Sequence, residues 1–270
     1  MNITFIGGGN MSSALIGGLL QQGYSPGQIR VVEISAEGRE KIKHEFNVEA
    51  VAELAKGVSD SDVILLAVKP QQLSAVAQEL AGLLREHLVI SIAAGIRATD
   101  ISRWMGNYER VVRAMPNTPA LIRAAVTGLY ALPGVSVEER HNAETILAAV
   151  GSVLWCDREG LLDAVTALSG SGPAYVFYFI EAMQKAGQEL GLDAAQARRL
   201  SLETLLGAAR LASQSDENVT ALRARVTSPG GTTERAIQAL ENAGVKNAII
   251  GAIHVANQRS RELGDEFGTT

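Results

Sequence analysis

The sequence predicts an α/β protein in which a doubly wound parallel sheet fills the N-terminal half and an all-α domain follows it. A short apolar strand, Ile3–Ile6, leads through a glycine-rich turn into a helix over 13–22. Apolar strand-like runs then alternate with helical stretches as far as Trp155. After Glu159 no convincing strand follows, so we place the boundary there and predict two domains, residues 1–158 and 159–270.

Composition excludes several classes of protein. The chain has 270 residues, 47% hydrophobic and 20% charged, with a net charge of -5, which argues against nucleic acid or an anionic membrane as a partner. One cysteine, Cys156, excludes an internal disulfide, and four scattered histidines argue against a metal site. No apolar run approaches the roughly 20 residues of a membrane span. With no signal-peptide pattern at the N-terminus, we expect a cytoplasmic protein.

The first glycine-rich turn has the spacing of a dinucleotide-binding loop. It lies between a strand and a helix, the context that makes such a glycine pattern informative. Gly7 suits the tight turn, Gly9 lets the backbone approach a pyrophosphate, and Ser12 is small enough for close helix–strand packing. We therefore predict a Rossmann-type domain, although an ordinary glycine-rich turn is the alternative. The predicted cofactor contacts in this turn are Gly7, Gly8, Gly9, Asn10 and Met11.

The second predicted strand, residues 30–34, bears on which cofactor is bound. It carries Glu33 about twenty residues beyond the glycines, where an acid accepts hydrogen bonds from the adenosine ribose. A carboxylate there would repel the extra phosphate of NADP, so Glu33 favours NADH. Arg39 is close enough in sequence to hold that phosphate instead, and the preference stays open.

Three further strand-like runs, residues 62–68, 88–92 and 110–114, each end in an unusual loop. Helical stretches over 71–84 and 99–105 separate them, as expected of a parallel sheet with right-handed crossovers. Ligands bind outside the carboxyl ends of such strands, which is where these loops lie. Lys69 is a candidate contact for the cofactor, and an ordinary solvated loop lysine is the alternative. Two more strands, 126–131 and 151–155, flank a helix over 137–150. The loop residues predicted to contact the cofactor are Ala67, Val68, Lys69, Pro70, Ala93, Ala94 and Gly95.

Two hydroxyl-rich, glycine-rich helix starts distinguish the second half. One is Leu168–Phe177 and the other is Ser228–Thr233, and together they indicate a site for a small anion, although each alone is an ordinary helix start. The predicted helices cover 174–190, 194–214, 218–226, 232–242 and 245–263, with Asp193 and Thr232 as caps. The predicted helix is apolar on nearly all of its faces over residues 174–183, so another part of the structure must shield it from solvent. A second subunit is the expected cover, and the chain's own sheet domain is the alternative.

Taken together, these stretches resemble the pyrroline-5-carboxylate reductase family over nearly the whole chain. The resemblance rests on the segments Phe5–Met11, Ala67–Pro70, Met115–Ala120, Ala167–Tyr175 and Val226–Thr233. It implies a Rossmann domain, a helical dimerisation domain that interlocks two subunits, and often rings of dimers, with the active site at the interface. It also implies NADPH or NADH as cofactor, although Glu33 departs from the small or basic residue that members often carry. An acid near Asp216 or Glu217 contacts substrate in some relatives.

The implied reaction is hydride transfer to the C=N carbon of Δ1-pyrroline-5-carboxylate, which yields proline. A cyclic imine can bind already protonated, as an iminium ion, which fits loops that offer no evident proton donor apart from the doubtful Lys69. We predict that Thr233 and Ser171 are catalytic, with Thr233 hydrogen-bonded to the ring nitrogen directly or through water. Asn117 would orient the nicotinamide or the substrate. The predicted substrate-binding residues are Gly172, Gly230, Gly231, Thr232 and Asn117.

Two other functions fit part of the pattern. A β-hydroxyacid dehydrogenase shares the sheet-then-helices layout but places a catalytic lysine early in its helical domain, whereas here the first lysine after Ser171 is Lys185. A protein that binds NAD(H) without catalysis explains the first half of the chain. It gives no reason for the two hydroxyl-lined loops of the second half.

Overall fold

The computed structural model describes residues 1–268 and confirms the predicted fold class. Two compact units divide the chain: a sheet unit, Met1–Ser171 with the chain from Val255 on, and a helical unit, Gly172–His254. The predicted boundary at 158/159 remains a prediction of domain organisation. Among residues 1–268, no helix is both long and apolar enough to cross a membrane.

The sheet unit is built on one eight-stranded sheet in the order β3-β2-β1-β4-β5-β6-β7-β8. All neighbouring strands are parallel except β6 and β7. The strands are Ile3–Ile6 (β1), Ile29–Val32 (β2), Glu49–Val51 (β3), Val63–Leu66 (β4), Leu88–Ser91 (β5), Val111–Met115 (β6), Ala125–Ala131 (β7) and Gly151–Trp155 (β8).

Helices cover both faces of this sheet, because alternate residues of the buried strands are apolar on both sides. In β4, Val63 and Leu65 enter one hydrophobic cluster while Ile64 and Leu66 enter the other. The helices of this unit are Asn10–Gln21 (α1), Ala36–Phe46 (α2), Leu54–Val58 (α3), Pro70–Ala81 (α4), Ala98–Trp104 (α5), Val137–Ala148 (α6) and Leu161–Val165 (α7).

The structure corrects the sequence reading of the sheet in two places. Strand β7 is antiparallel to β6, because only a 3-10 turn at Thr118–Ile122 joins them and no crossover helix intervenes. Strand β3 was not predicted. It has three residues, lies at the sheet edge and begins with the exposed Glu49, so it lacks the apolar run that marked the other strands.

The helical unit contains long helices whose apolar residues are largely exposed within the single chain. Phe177 is 60% exposed and Leu206 47%. Asp193 caps α9 as predicted, since its carboxylate accepts a hydrogen bond from the Gln196 N–H. The helices are Gly172–Glu189 (α8), Ala194–Gln214 (α9), Val219–Arg225 (α10), Thr232–Asn242 (α11) and Val245–Gly268 (α12), of which the last runs on into the sheet unit.

Candidate active site

The glycine turn between β1 and α1 has a geometry that only glycine satisfies. Gly7 has a φ of +102°, and a Cβ there would lie 2.8 Å from the Ala67 carbonyl oxygen. Ser12 donates its hydroxyl to the Gly7 carbonyl at 2.7 Å, which fixes the turn to α1. Gly9 precedes α1 and makes no side-chain cap, so the first N–H groups of the helix remain available to an anion.

Strand order reverses between β1 and β4, and a cavity of about 740 Å³ lies at that point. The carboxyl ends of β1, β2 and β4 form its walls. Asn10 and Met11 are the first residues of α1, and Pro70 is the first of α4. The predicted cofactor residues that line the cavity are Gly7, Gly8, Gly9, Glu33, Ala67, Val68 and Lys69.

Glu33 is held beside the glycine turn by two backbone donors. Its Oε2 accepts a hydrogen bond from the Gly8 N–H and its Oε1 one from the Ser35 N–H, both at 2.9 Å. The Arg39 Nη1 donates to the carbonyls of Glu33 and Ile34, at 2.8 and 2.9 Å. The carboxylate is therefore fixed on the cavity wall, and the guanidinium is bound to the backbone of the same loop.

Ala93, Ala94 and Gly95 follow β5 and are supported by the C-terminal end of α12. Gly95 has a φ of +73°, and a Cβ there would lie 3.0 Å from the Leu263 Cβ. Arg97 donates to the Asp265 carboxylate, and this hydrogen bond raises the pKa of the guanidinium above its ordinary value. The loop is thus packed against a helix that sequence reasoning had not connected with it.

The first hydroxyl-rich segment contains a π-helical turn, Thr166–Gly170, before α8. Two of its hydroxyls bond back to the preceding turn: Thr166 to the Leu162 carbonyl at 2.7 Å and Ser169 to the Val165 carbonyl at 2.9 Å. The Ser171 N–H closes the turn on the Thr166 carbonyl at 2.8 Å. Among the described residues, the Ser171 hydroxyl has no hydrogen-bond partner, which leaves it free for a ligand. Gly172, the first residue of α8, has open space where a Cβ would be.

The side chain of Asn117 lies between two backbone segments of the sheet unit. Its carboxamide bonds to two backbone groups, the Ser169 carbonyl and the Val126 N–H. The predicted contact with nicotinamide or substrate remains a prediction.

In the helical unit, Ser228–Thr233 forms the loop before α11. The Gly230 N–H donates to the Glu234 carboxylate at 2.8 Å and the Gly231 N–H to the Ser228 carbonyl at 3.0 Å. These two N–H groups, predicted to bind substrate, are therefore already bonded within the chain. The predicted cap at Thr232 is wrong, since Gly231 occupies the N-cap and no side chain caps the helix.

What the loop leaves open is the first turn of α11. The N–H groups of Thr232 and Thr233 lack intrahelical acceptors, because the first turn of any helix does. Upstream, Glu217 forms an ion pair with Arg225 at 2.5 Å. Asp216 is exposed and has no ion-pair partner within residues 1–268. Glu234, which fixes Gly230, was not predicted, although an acid in the first turn of a helix is a recognisable signal.

Two family models match the chain. Residues 159–263 match the family model described as pyrroline-5-carboxylate reductase dimerisation. Residues 2–95 match the family model described as coenzyme F420-dependent NADP oxidoreductase. The chain is 49% identical over 267 residues to a pyrroline-5-carboxylate reductase of Pseudomonas aeruginosa, with 98% of each covered. It is 40% identical over 265 residues to the reductase of a Synechocystis species, again with 98% of each covered.

Solved structures agree with these relatives. A pyrroline-5-carboxylate reductase from Coxiella burnetii superposes with a TM-score of 0.92 at 44% identity, covering 97% of this chain and 98% of that one. Plasmodium falciparum pyrroline carboxylate reductase with NADP bound superposes with a TM-score of 0.88 at 27% identity, covering 98% of each chain.

Proposed function

The chain belongs to the pyrroline-5-carboxylate reductase family, and we propose, from that premise, how its own residues carry out the family's reaction. The chain is an oxidoreductase that reduces Δ1-pyrroline-5-carboxylate to L-proline with NAD(P)H, the last step of proline biosynthesis. The observation that carries this function is near-complete coverage at 49% identity. The open questions are which groups hold the two reactants and which cofactor is preferred.

The cavity at the carboxyl ends of β1, β2 and β4 fits a dinucleotide. The backbone at Gly9 is open, with nothing within 4 Å of a Cβ built there, and α1 presents uncapped N–H groups. These are the features that accommodate a pyrophosphate. When bound, the nicotinamide supplies the hydride. We assign the pyrophosphate to the open backbone at Gly9 and the first N–H groups of α1. Gly7 and Gly8 shape this turn, since their own N–H groups are bonded to Val32 and Glu33. We assign the loops after β4 and β5 to the remainder of the cofactor.

The Glu33 carboxylate supports a preference for NADH. Both of its oxygens are fixed by backbone N–H groups, so the charge does not move away from the cavity wall. A ribose 2′-hydroxyl can donate to a carboxylate, whereas a 2′-phosphate would be repelled. Arg39 opposes this preference only weakly, because its Nη1 is bound to two backbone carbonyls.

We assign the substrate carboxylate to the first turn of α11. Its N–H groups carry the partial positive charge of a helix N-terminus, and no side chain caps them. The hydroxyls of Thr232 and Thr233 lie at the same turn. We keep Gly230 and Gly231 as residues that shape this loop, since their own N–H groups are bonded to Glu234 and Ser228.

The absence of an evident proton donor among the predicted site residues suits reduction of an imine better than reduction of a ketone. Reduction of the protonated C=N bond gives a secondary amine and needs no proton delivered in the transition state. We assign the hydrogen bond to the ring nitrogen to Thr233, and a further contact with the substrate to the hydroxyl of Ser171. Both then act by orienting the substrate, which is where such a reaction gains most of its rate.

The dimerisation model over residues 159–263 indicates a homo-oligomer. We propose that a second subunit covers exposed apolar residues of the helical unit such as Phe177 and Phe179. We further propose that dimers assemble into larger rings, that no nucleic acid is bound, and that the protein works in the cytoplasm.

Absorbance-monitored oxidation of NADH and of NADPH, each with pyrroline-5-carboxylate, tests the function. We expect oxidation that depends on the substrate and is faster with NADH. Folded protein that binds NADH but oxidises neither cofactor would contradict the assignment, and turnover of a 3-hydroxyacid instead would favour the hydroxyacid dehydrogenase. A rate with NADPH equal to or above that with NADH would contradict the role given to Glu33.

A further inference from the structure

The side chain of Asn117 joins two separate elements of the sheet unit. It is 8% exposed, and its carboxamide uses both ends. The Nδ2 donates to the Ser169 carbonyl at 3.1 Å, and the Oδ1 accepts from the Val126 N–H at 3.0 Å. A carboxamide has the same donor and acceptor as a peptide group, so this side chain can replace a missing backbone partner on either side.

On the acceptor side, Asn117 continues the ladder between β6 and β7. The last pair of these antiparallel strands is Met115 with Gly128, so the next pair of the same kind in this register is Asn117 with Val126. The strand β6 has ended by then, because Pro116 removes one backbone donor and the chain turns. The carboxamide oxygen therefore accepts from a β7 N–H that lies beyond the end of β6.

On the donor side, the Asn117 carboxamide supplies an N–H donor where the helix has a proline. In an α-helix the Ser169 carbonyl would accept from the N–H four residues later, and that residue is Pro173, which has none. The chain at this point is the π turn Thr166–Gly170. The Asn117 Nδ2 donates to this carbonyl in place of the N–H that Pro173 lacks.

Gly170 adds a second point of attachment between the same two segments. A Cβ at Gly170 would lie 2.5 Å from the Met115 Cε, so the π turn packs directly on the end of β6. The turn is thus held by one close packing contact and by one hydrogen bond. Both come from the three residues Met115–Asn117.

We infer that Asn117 is a positioning residue, which fixes the π turn and through it the free hydroxyl of Ser171. The inference rests on the proposed contact between Ser171 and the substrate. It gives Asn117 a role in which the carboxamide touches neither reactant. Loss of the Nδ2 donor would let the turn relax, and the Ser171 hydroxyl would then occupy a range of positions instead of one.

Asn117→Asp is the sharpest variant, because it keeps the size of the side chain and an acceptor for Val126. It replaces the donor by a carboxylate oxygen that faces the Ser169 carbonyl. We expect hydrogen exchange at the Ser171 amide to accelerate by about tenfold or more, and kcat/KM for pyrroline-5-carboxylate to fall by about tenfold or more. The dissociation constant of NADH should change by less than about twofold. Asn142→Asp on α6, the same chemical change at a partly exposed position outside this contact, should alter none of these values.

A double-mutant cycle with Ser171→Ala separates positioning from a general loss of structure. If Asn117 acts through Ser171, Asn117→Asp should lower kcat/KM by less than about threefold in the Ser171→Ala protein. The full loss in that background, or unchanged exchange at Ser171, overturns the inference. Asn117→Ala, which adds no charge, serves in the same cycle if Asn117→Asp does not fold. Exchange needs no substrate, so a wild-type protein that fails to oxidise either cofactor contradicts the proposed function and not this role.

Discussion

Replacing Glu33 by serine should shift the cofactor preference toward NADPH, and the structure allows an estimate of how far. A phosphate on a ribose oxygen bonded to this carboxylate would lie about 5 Å from its charge. At an effective dielectric constant of about 60, suited to a partly exposed site, one pair of unit charges repels by about 1 kcal/mol at that distance. A phosphate monoester carries a charge of about -1.5 to -2, which gives about 2 kcal/mol, or roughly a 30-fold change in selectivity.

The ratio of kcat/KM values for NADPH and NADH is the quantity to measure. Glu33→Ser also removes the hydrogen bonds to Gly8 and Ser35, but that loss affects both cofactors alike and cancels in the ratio. Glu37→Ser, which removes an exposed acid in the first turn of α2, should leave the ratio within about twofold. A ratio that is unchanged in Glu33→Ser would refute the reasoning.

Three other substitutions test separate parts of the account. Thr233→Val should lower kcat/KM by about tenfold or more with the NADH dissociation constant unchanged, whereas unaltered kinetics would remove Thr233 from the mechanism. Arg113→Met should cost about 1–3 kcal/mol of unfolding free energy in urea titrations, because it removes the buried guanidinium that pairs with Glu159 at 3.1 Å and leaves that partly buried carboxylate with the Ala98 N–H; a loss below about 0.5 kcal/mol would contradict this. Phe177→Asp should shift the protein toward monomer in sedimentation, whereas Val137→Asp on α6, at a still more exposed apolar residue, should not, and a dimer unaffected by Phe177→Asp would contradict the proposed interface.

Strong local patterns in the sequence predicted most of the fold. The strand Gly151–Trp155 and the helix Ala194–Gln214 were predicted with the observed bounds, because a glycine and an aspartate mark their starts. The three-residue strand β3 carried no such mark. The antiparallel direction of β7 depends on the short connection that joins it to β6. The pattern of apolar residues within β7 carries no information about strand direction.

Part of the candidate site could likewise be predicted from local sequence patterns, and part could not. The glycine turn was predictable because Gly7 needs a positive φ and its neighbours need an open backbone. The partner of each polar group was not predictable, because Gly8 with Glu33 and Asn117 with Ser169 are contacts between residues far apart in the chain. The π turn packs on β6 through Gly170 and Met115, which are also far apart in the chain.

The bond Gly230–Glu234 was the exception, since it spans four residues and could have been anticipated from an acid in the first turn of a helix. Because this hydrogen bond was not anticipated, the Gly230 N–H was predicted to bind the substrate. The revised site relies on Thr232 and Thr233 instead, which the sequence had also indicated.

Direct transfer of hydride from the cofactor to the imine carbon is the central claim, and isotopic labelling tests it. NADH carrying deuterium at one or the other face of nicotinamide C4 would be incubated with pyrroline-5-carboxylate and the enzyme, and the proline analysed by mass spectrometry. We expect one deuterium at proline C5 with one of the two labelled cofactors and none with the other. Proline without label from both, or no proline at all, would contradict it.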